Sequence, residues 1–197
     1  MRRACRWQER MALFMSRKAT ITQKEIINAA FKLTRKEGFE EITSRKLAAA
    51  AGCSTQPIFR VYENMSALKK DVFDKTAQYY EDYCLGFGSR NDIPFISIGI
   101  TNIGFAQKYP NLFRFLFLSK KENDFATMYD VINTGKGFVT AEVKRAKELG
   151  QKNPDELFMK MWTFIFGCSC MAVTGDFDLD EEQTRVMLES AYEKLSK

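Results

Sequence analysis

Between Thr43 and Phe73 the chain reads TSRKLAAAAGCSTQPIFRVYENMSALKKDVF, and few folds accommodate that order of residues. Thr43 is a favoured N-cap, and the four alanines that follow are strong helix formers, small enough to let another helix approach closely. Gly52 stops this helix after two turns, so it spans 44–51. Ser54 is placed to cap a third helix, and Pro57 is tolerated there because its missing N–H falls in the first turn. That helix runs to about residue 62. Two short helices joined by a glycine-containing turn of three or four residues form a helix-turn-helix, whose second member enters the DNA major groove. Leu47 and Ile58 point to the core in this reading, leaving Thr55, Gln56, Phe59 and Arg60 outward.

The same punctuation runs through the rest of the chain. A first helix over 22–37 has Thr20 or Thr22 as cap, Ile27, Ala30, Phe31 and Thr34 at helical spacing, and Gly38 at its end. Asn64 or Ser66 caps a fourth helix to about residue 85, with Leu68, Val72, Phe73 and Ala77 on its inner stripe. Residues 86–91, GFGSRN, form the best linker. Beyond it, helices are expected over 92–108, 110–119, 123–149, 154–174 and 180–195, with Gly135 and Gly137 able to kink or split the third of these. The chain is therefore expected to be all-α, with about nine helices. Residues 17–66 form a three-helix DNA-binding domain, residues 67–197 a helical effector-binding and dimerisation domain, and the helix over 66–85 joins the two. Gly135-Lys-Gly137 has neither a preceding strand nor the rest of a phosphate loop, which argues against a nucleotide site.

Charge divides along the same line. Residues 1–70 carry 15 Lys/Arg against 6 Asp/Glu, a net +9, whereas residues 71–197 carry 15 against 19, a net −4. A basic module on a mildly acidic body is the footprint of a nucleic-acid-facing end. A solvated basic face is the plain alternative. The chain has no histidine, so Ser-His-Asp and Cys-His catalysis and histidine metal sites are excluded, and neither a catalytic site, a metal nor a cofactor is expected. Its five cysteines are odd in number and scattered, which argues against a disulfide framework and for a reducing, cytoplasmic setting. Residues 1–16 hold an apolar patch only from Ala12 to Met15, too short for a signal-peptide core. They are set aside as a leader, since Met11 or Met15 could equally be the initiator. Residues 161–173 lack charge but are too few to span a bilayer, so no membrane partner is expected.

From Gln23 to Phe73 the chain resembles the N-terminal domain of TetR-family transcriptional regulators. EIINAAFKLTRKEGFEEIT is similar to the family's first helix and its glycine-aromatic exit, and the stretch from Thr43 carries its Thr-x-Arg, Ala-Gly-x-Ser and aromatic-L-x-x-V/F framework. FAQKYPNLFRFLF resembles the recurrent Pro-x-Leu-Phe helix of family bodies, and KMWTFIFGCSCMAV a Trp-x-x-x-His-Gly helix, with Phe166 in the place of histidine. The resemblance implies a homodimer that places two recognition helices on a palindromic double-stranded operator, acts most often as a repressor, and holds a small molecule in each body. Carried over, Thr43 and Arg45 contact phosphate, Thr55, Gln56 and Arg60 read bases or adjoining phosphates, and Tyr62 supports them. Phe59 stands where the family has a phosphate-contacting tyrosine, Val61 replaces a frequent histidine, and Met65 a lysine. Those three losses leave Tyr62, Lys69, Lys70 and the arm Arg17-Lys18 to compensate. They also motivate a rival reading, a protein-interaction module whose DNA-binding surface has decayed; a helical enzyme is the third.

Within the body, seventeen phenylalanines in the whole chain are many. Phe105, Phe113, Phe117, Trp162 and Phe166 are candidates to line a cavity for a small hydrophobic or aromatic effector, with plain core packing as the alternative. Leu188, Ala191, Tyr192 and Leu195 fall at i, i+3, i+4 and i+7 of the last helix. The stripe suits either a dimer four-helix bundle or the chain's own core.

Overall fold

A computed structural model describes residues 21–87, 91–120, 125–133 and 136–197. The expected leader, the arm Arg17-Lys18, the Thr20 cap and residues 88–90 of the 86–91 linker lie outside the described residues. Those described are all-α, with α1 at Gln23–Glu37, α2 at Ser44–Ala50, α3 at Thr55–Val61 and α4 at Met65–Gly86. The body adds α5 at Ile96–Lys108, α6 at Pro110–Phe113, α7 at Met128–Asn133, α8 at Phe138–Glu148, α9 at Pro154–Thr174 and α10 at Glu181–Leu195.

Local chemistry explains the head. Thr22 closes a capping box on α1: its hydroxyl accepts from the Glu25 amide at 3.2 Å while the Glu25 carboxylate accepts from the Thr22 amide at 2.8 Å. Ile26, Ala29, Ala30, Phe31 and Thr34 form the buried stripe, and Ile27 is only half-buried. At the end of α2, Gly52 takes φ +68, and the amides of Gly52 and Cys53 donate to the Ala49 and Ala48 carbonyls. Both bonds belong to one Schellman turn, which needs the left-handed conformation that glycine adopts without strain. Leu47 and Ile58 meet beneath it, at 0% and 1% exposure. Ser54 precedes α3, but its hydroxyl makes no capping bond. Asn64, not Ser66, caps α4, accepting from the Ala67 amide at 2.9 Å.

The helix α5 lies at the centre of the body, packed chiefly on α9 and also on α4, α6 and α10. It begins at Ile96 rather than 92, because Phe95 adopts a left-handed backbone with φ 69. A buried carboxylate holds that unfavourable conformation. Glu142 of α8 accepts from the Phe95 amide at 2.9 Å and is paired at 2.9 Å with Arg145. The expected helix over 110–119 is instead one turn of α-helix followed by π-helical backbone at Arg114–Leu118, where the Ser119 amide donates to the Arg114 carbonyl. The expected 123–149 helix is divided into α7 and α8, and Gly137 at φ 70 starts the second piece.

α9 covers the 154–174 expected, 21 residues, of which the charge-free 161–173 is only a part. By length and composition it is apolar enough to cross a membrane, and 44% of its most apolar 18-residue window is buried inside the chain. α10 packs on α5 and α9, and the stripe that suited either a dimer bundle or the chain's own core lies partly against them. Leu188 is fully buried, and a Cβ added at Gly99 would lie 2.7 Å from its Cδ1 and 3.1 Å from Ile165 Cγ1. Ala191, Tyr192 and Leu195 are half-buried against the same core. Leu188 is thus taken up by this chain's own core, whereas Ala191, Tyr192 and Leu195 keep part of their surface exposed.

Candidate nucleic-acid interface

One helical face gathers the expected DNA-reading residues. Gln56, Phe59 and Arg60 are all exposed at i, i+3 and i+4 of α3, with Thr55 half-buried beside them. Ile58 points the opposite way, into the core, and so fixes which side of the helix is presented. Arg45 is exposed on α2, and no ion pair engages it or Arg60 among the described residues. Both guanidinium groups are thus available to an external anion or base edge. Thr43 is exposed, but its hydroxyl accepts from the Lys46 amide at 3.2 Å as the cap of α2; its hydroxyl hydrogen is the part left for a phosphate. Gln56 and Arg60 also line a groove of about 770 Å³ whose far wall is α1, at Asn28 and Lys32.

Tyr62 is placed differently from the expectation. It is only 5% exposed, and its hydroxyl donates to Asp71 Oδ2 at 2.6 Å. Burial, and then the neighbouring Asp71 carboxylate, hold its phenol above the usual range. Gln23 of α1 donates to the same oxygen at 2.9 Å. One carboxylate therefore ties the exit of α3 to α1 and α4, so Tyr62 and Asp71 brace α3 from behind. Asp71 and Gln23 were not legible as site residues, because separations of 9 and 48 along the chain carry no periodic signal.

The compensating lysines are also spoken for. Lys69 is 15% exposed, lies 3.6 Å from Glu40 and sits over the Phe39 ring, whereas Lys70 forms an exposed pair with Asp74 at 3.2 Å. A surface pair is worth about 0–1 kcal/mol, so Lys70 can exchange Asp74 for a phosphate at little cost, unlike the enclosed Lys69. Phe59 is 49% exposed and Val61 39%.

The five candidate effector residues divide into two groups. Phe105 packs edge-on among Tyr80, Tyr83 and Tyr109, at centroid distances of 5.0, 5.3 and 5.3 Å. Phe113, Phe117, Phe166 and Trp162 form a separate chain: Phe113 lies 4.8 Å from Phe117 and 6.0 Å from Phe166, which lies 5.9 Å from Trp162. Trp162 donates its indole N–H to Met128 Sδ at 3.4 Å. Tyr80 joins the groups at 5.4 Å from Phe117, and its hydroxyl donates to Asn102, whose amide donates to Ser169.

No protein-family model matches the sequence, and no curated protein matches it. Solved structures do. A TetR-family transcription regulator from Marinobacter aquaeolei VT8 superposes with a TM-score of 0.62 at 18% identity, over 86% of this chain and 92% of that one. A transcriptional regulator described as a TetR family protein, from Vibrio parahaemolyticus, gives 0.61 at 17% identity over 87% and 96%. A TetR-like transcriptional regulator from Rhodococcus sp. RHA1 gives 0.59 at 12% identity over 87% and 93%.

Proposed function

The chain has the fold of TetR-family transcriptional regulators, and we propose that it works as one: a cytoplasmic, non-enzymatic, dimeric protein that binds a palindromic operator as a ligand-responsive repressor. The observation that carries this reading is the outward face of α3, where Gln56 and Arg60 flank Phe59 while Arg45 stands unpaired on α2. Arginine grips guanine bidentately and glutamine grips adenine, each for about 1–3 kcal/mol of discrimination. Arg45 and Thr43 take phosphate, which supplies affinity without sequence information.

The dimer surface belongs to the free side of the α9–α10 pair. Phe164, Gly167 and Met171 share one exposed face of α9, and Val186 is 55% exposed on α10. Nothing lies within 4 Å of a Cβ built on Gly167, so a partner helix has room to approach there. A second copy of the chain covers this face and sets two α3 helices about 34–36 Å apart, one turn of DNA. An effector in the body acts by preferring a spacing that does not fit both half-sites, and it loosens DNA only by its differential affinity for that state.

The experiment is selection of full-length protein against a random double-stranded library, with sedimentation of the resulting complex. An enriched inverted repeat bound by two protomers supports the reading, and an output as random as the input sinks it. The decayed-surface reading is favoured by one specific observation, the withdrawal of Tyr62 and Lys69 from the outer face. That random output would select it.

A further inference from the structure

Phe59 is the most exposed phenylalanine among the described residues. Phe31, Phe39, Phe73 and Phe115 all lie against other rings, whereas Phe59 has no ring or cation partner among the described residues and leaves 49% of its surface in water. It occupies the middle of the presented face of α3, one turn after Gln56 and next to Arg60. A phenyl ring donates no hydrogen bond, so it adds nothing to a phosphate contact. The one methyl group that base pairs present in the major groove is the 5-methyl of thymine.

We infer that Phe59 reads a thymine methyl in each half-site, between the bases held by Gln56 and Arg60. The inference rests on the regulator reading and adds to it the chemical identity of one recognised base. Loss of a hydrogen-bonding group at this position is then a change of what is read: a polar anchor to the backbone gives way to an apolar probe of the groove. Val61, two residues on, faces elsewhere around the helix and takes no part.

The test uses full-length protein and the duplex enriched from a random library. Each thymine is replaced in turn by deoxyuridine, which removes the methyl and leaves base pairing intact. At one thymine per half-site the affinity should fall about fourfold, the worth of one methyl group withdrawn from water, and replacement in both half-sites should compound the loss. In Phe59→Ala, an exposed position where folding is retained, the methylated and demethylated duplexes should bind equally. Phe59→Leu, which keeps an apolar side chain, should preserve part of the difference. Enrichment of a site with no methyl-sensitive thymine overturns the inference alone, as does sensitivity that persists undiminished in Phe59→Ala. Failure to enrich any sequence overturns the regulator reading and this inference with it.

Discussion

The ring of Phe39 stacks on that of Phe115, centroids 4.9 Å apart and planes 14° from parallel, and so joins the N-terminal three-helix head to the π-helical segment of the body. The same short stretch holds the end of α1: the Asn111 amide donates to the Arg35 and Lys36 carbonyls at 3.3 and 3.0 Å, and the Arg35 guanidinium lies 4.7 Å over Tyr109. On its other side Phe113 packs toward Phe166. Residues 109–115 therefore touch both the head and the aromatic core of the body.

Phe115→Ala should lower stability by about 3–5 kcal/mol, the range for a buried ring lost from a core. Asn111→Ala should cost only about 1 kcal/mol, because it removes exposed hydrogen bonds, and should lower the melting temperature by about 2–4 °C. Calorimetry separates the two, and hydrogen exchange in the last turn of α1 should quicken in both.

Tyr62→Phe and Arg60→Ala should behave in opposite ways. The first removes a hydroxyl donated to a carboxylate, which costs about 1.5–3 kcal/mol of stability, and should leave base preference unchanged. The second touches an exposed side chain, should leave stability within about 0.5 kcal/mol, and should relax preference at one base of each half-site. Thermal melts beside binding titrations read both.

Alkaline titration should reveal the buried phenols. Tyr62 and Tyr80 are both raised, chiefly by burial, so the folded state favours the protonated form. Their contribution to stability is intact below the unfolded value of about 10 and is lost as pH climbs beyond it. Of the seven tyrosines, these two should ionise last by absorbance, and should appear together with unfolding.

Leu188→Ala should destabilise each subunit by about 2–5 kcal/mol, and Gly99→Ala by about 1–3 kcal/mol through overpacking against Leu188 and Ile165. Phe164→Glu combined with Met171→Glu should instead separate the subunits while far-UV circular dichroism stays unchanged. Equilibrium sedimentation checks this, and a double variant that stays dimeric would remove the α9 face from the account.

Much of the head was legible because its determinants are local. Thr22, Thr43 and Asn64 cap their helices through residues three positions away, Gly52 closes its turn through Ala48 and Ala49, and the 3.6 period alone separates Ile58 from Gln56 and Arg60. Tyr62 was misread because an aromatic phenol suits either side of a helix end, and Asp71, which decides, lies on the next helix. The stripe on α10 has the same character: its spacing says that one face is buried, not by whom, and the approach of Leu188 to Gly99 assigns that one residue to the chain's own core. The starting point of α5 depended on the Glu142 carboxylate, 47 residues from the backbone it holds.

The most direct measurement is an anisotropy titration of the full-length protein against its enriched duplex and a shuffled duplex of equal length and composition, at several salt concentrations. The account predicts that two protomers bind the enriched site far more tightly, with a shallower salt dependence for the preference than for the affinity, and that Arg60→Ala erases most of the difference. Equal and steeply salt-dependent binding to both duplexes would contradict it, because only the positive charge of the head would then be engaging DNA.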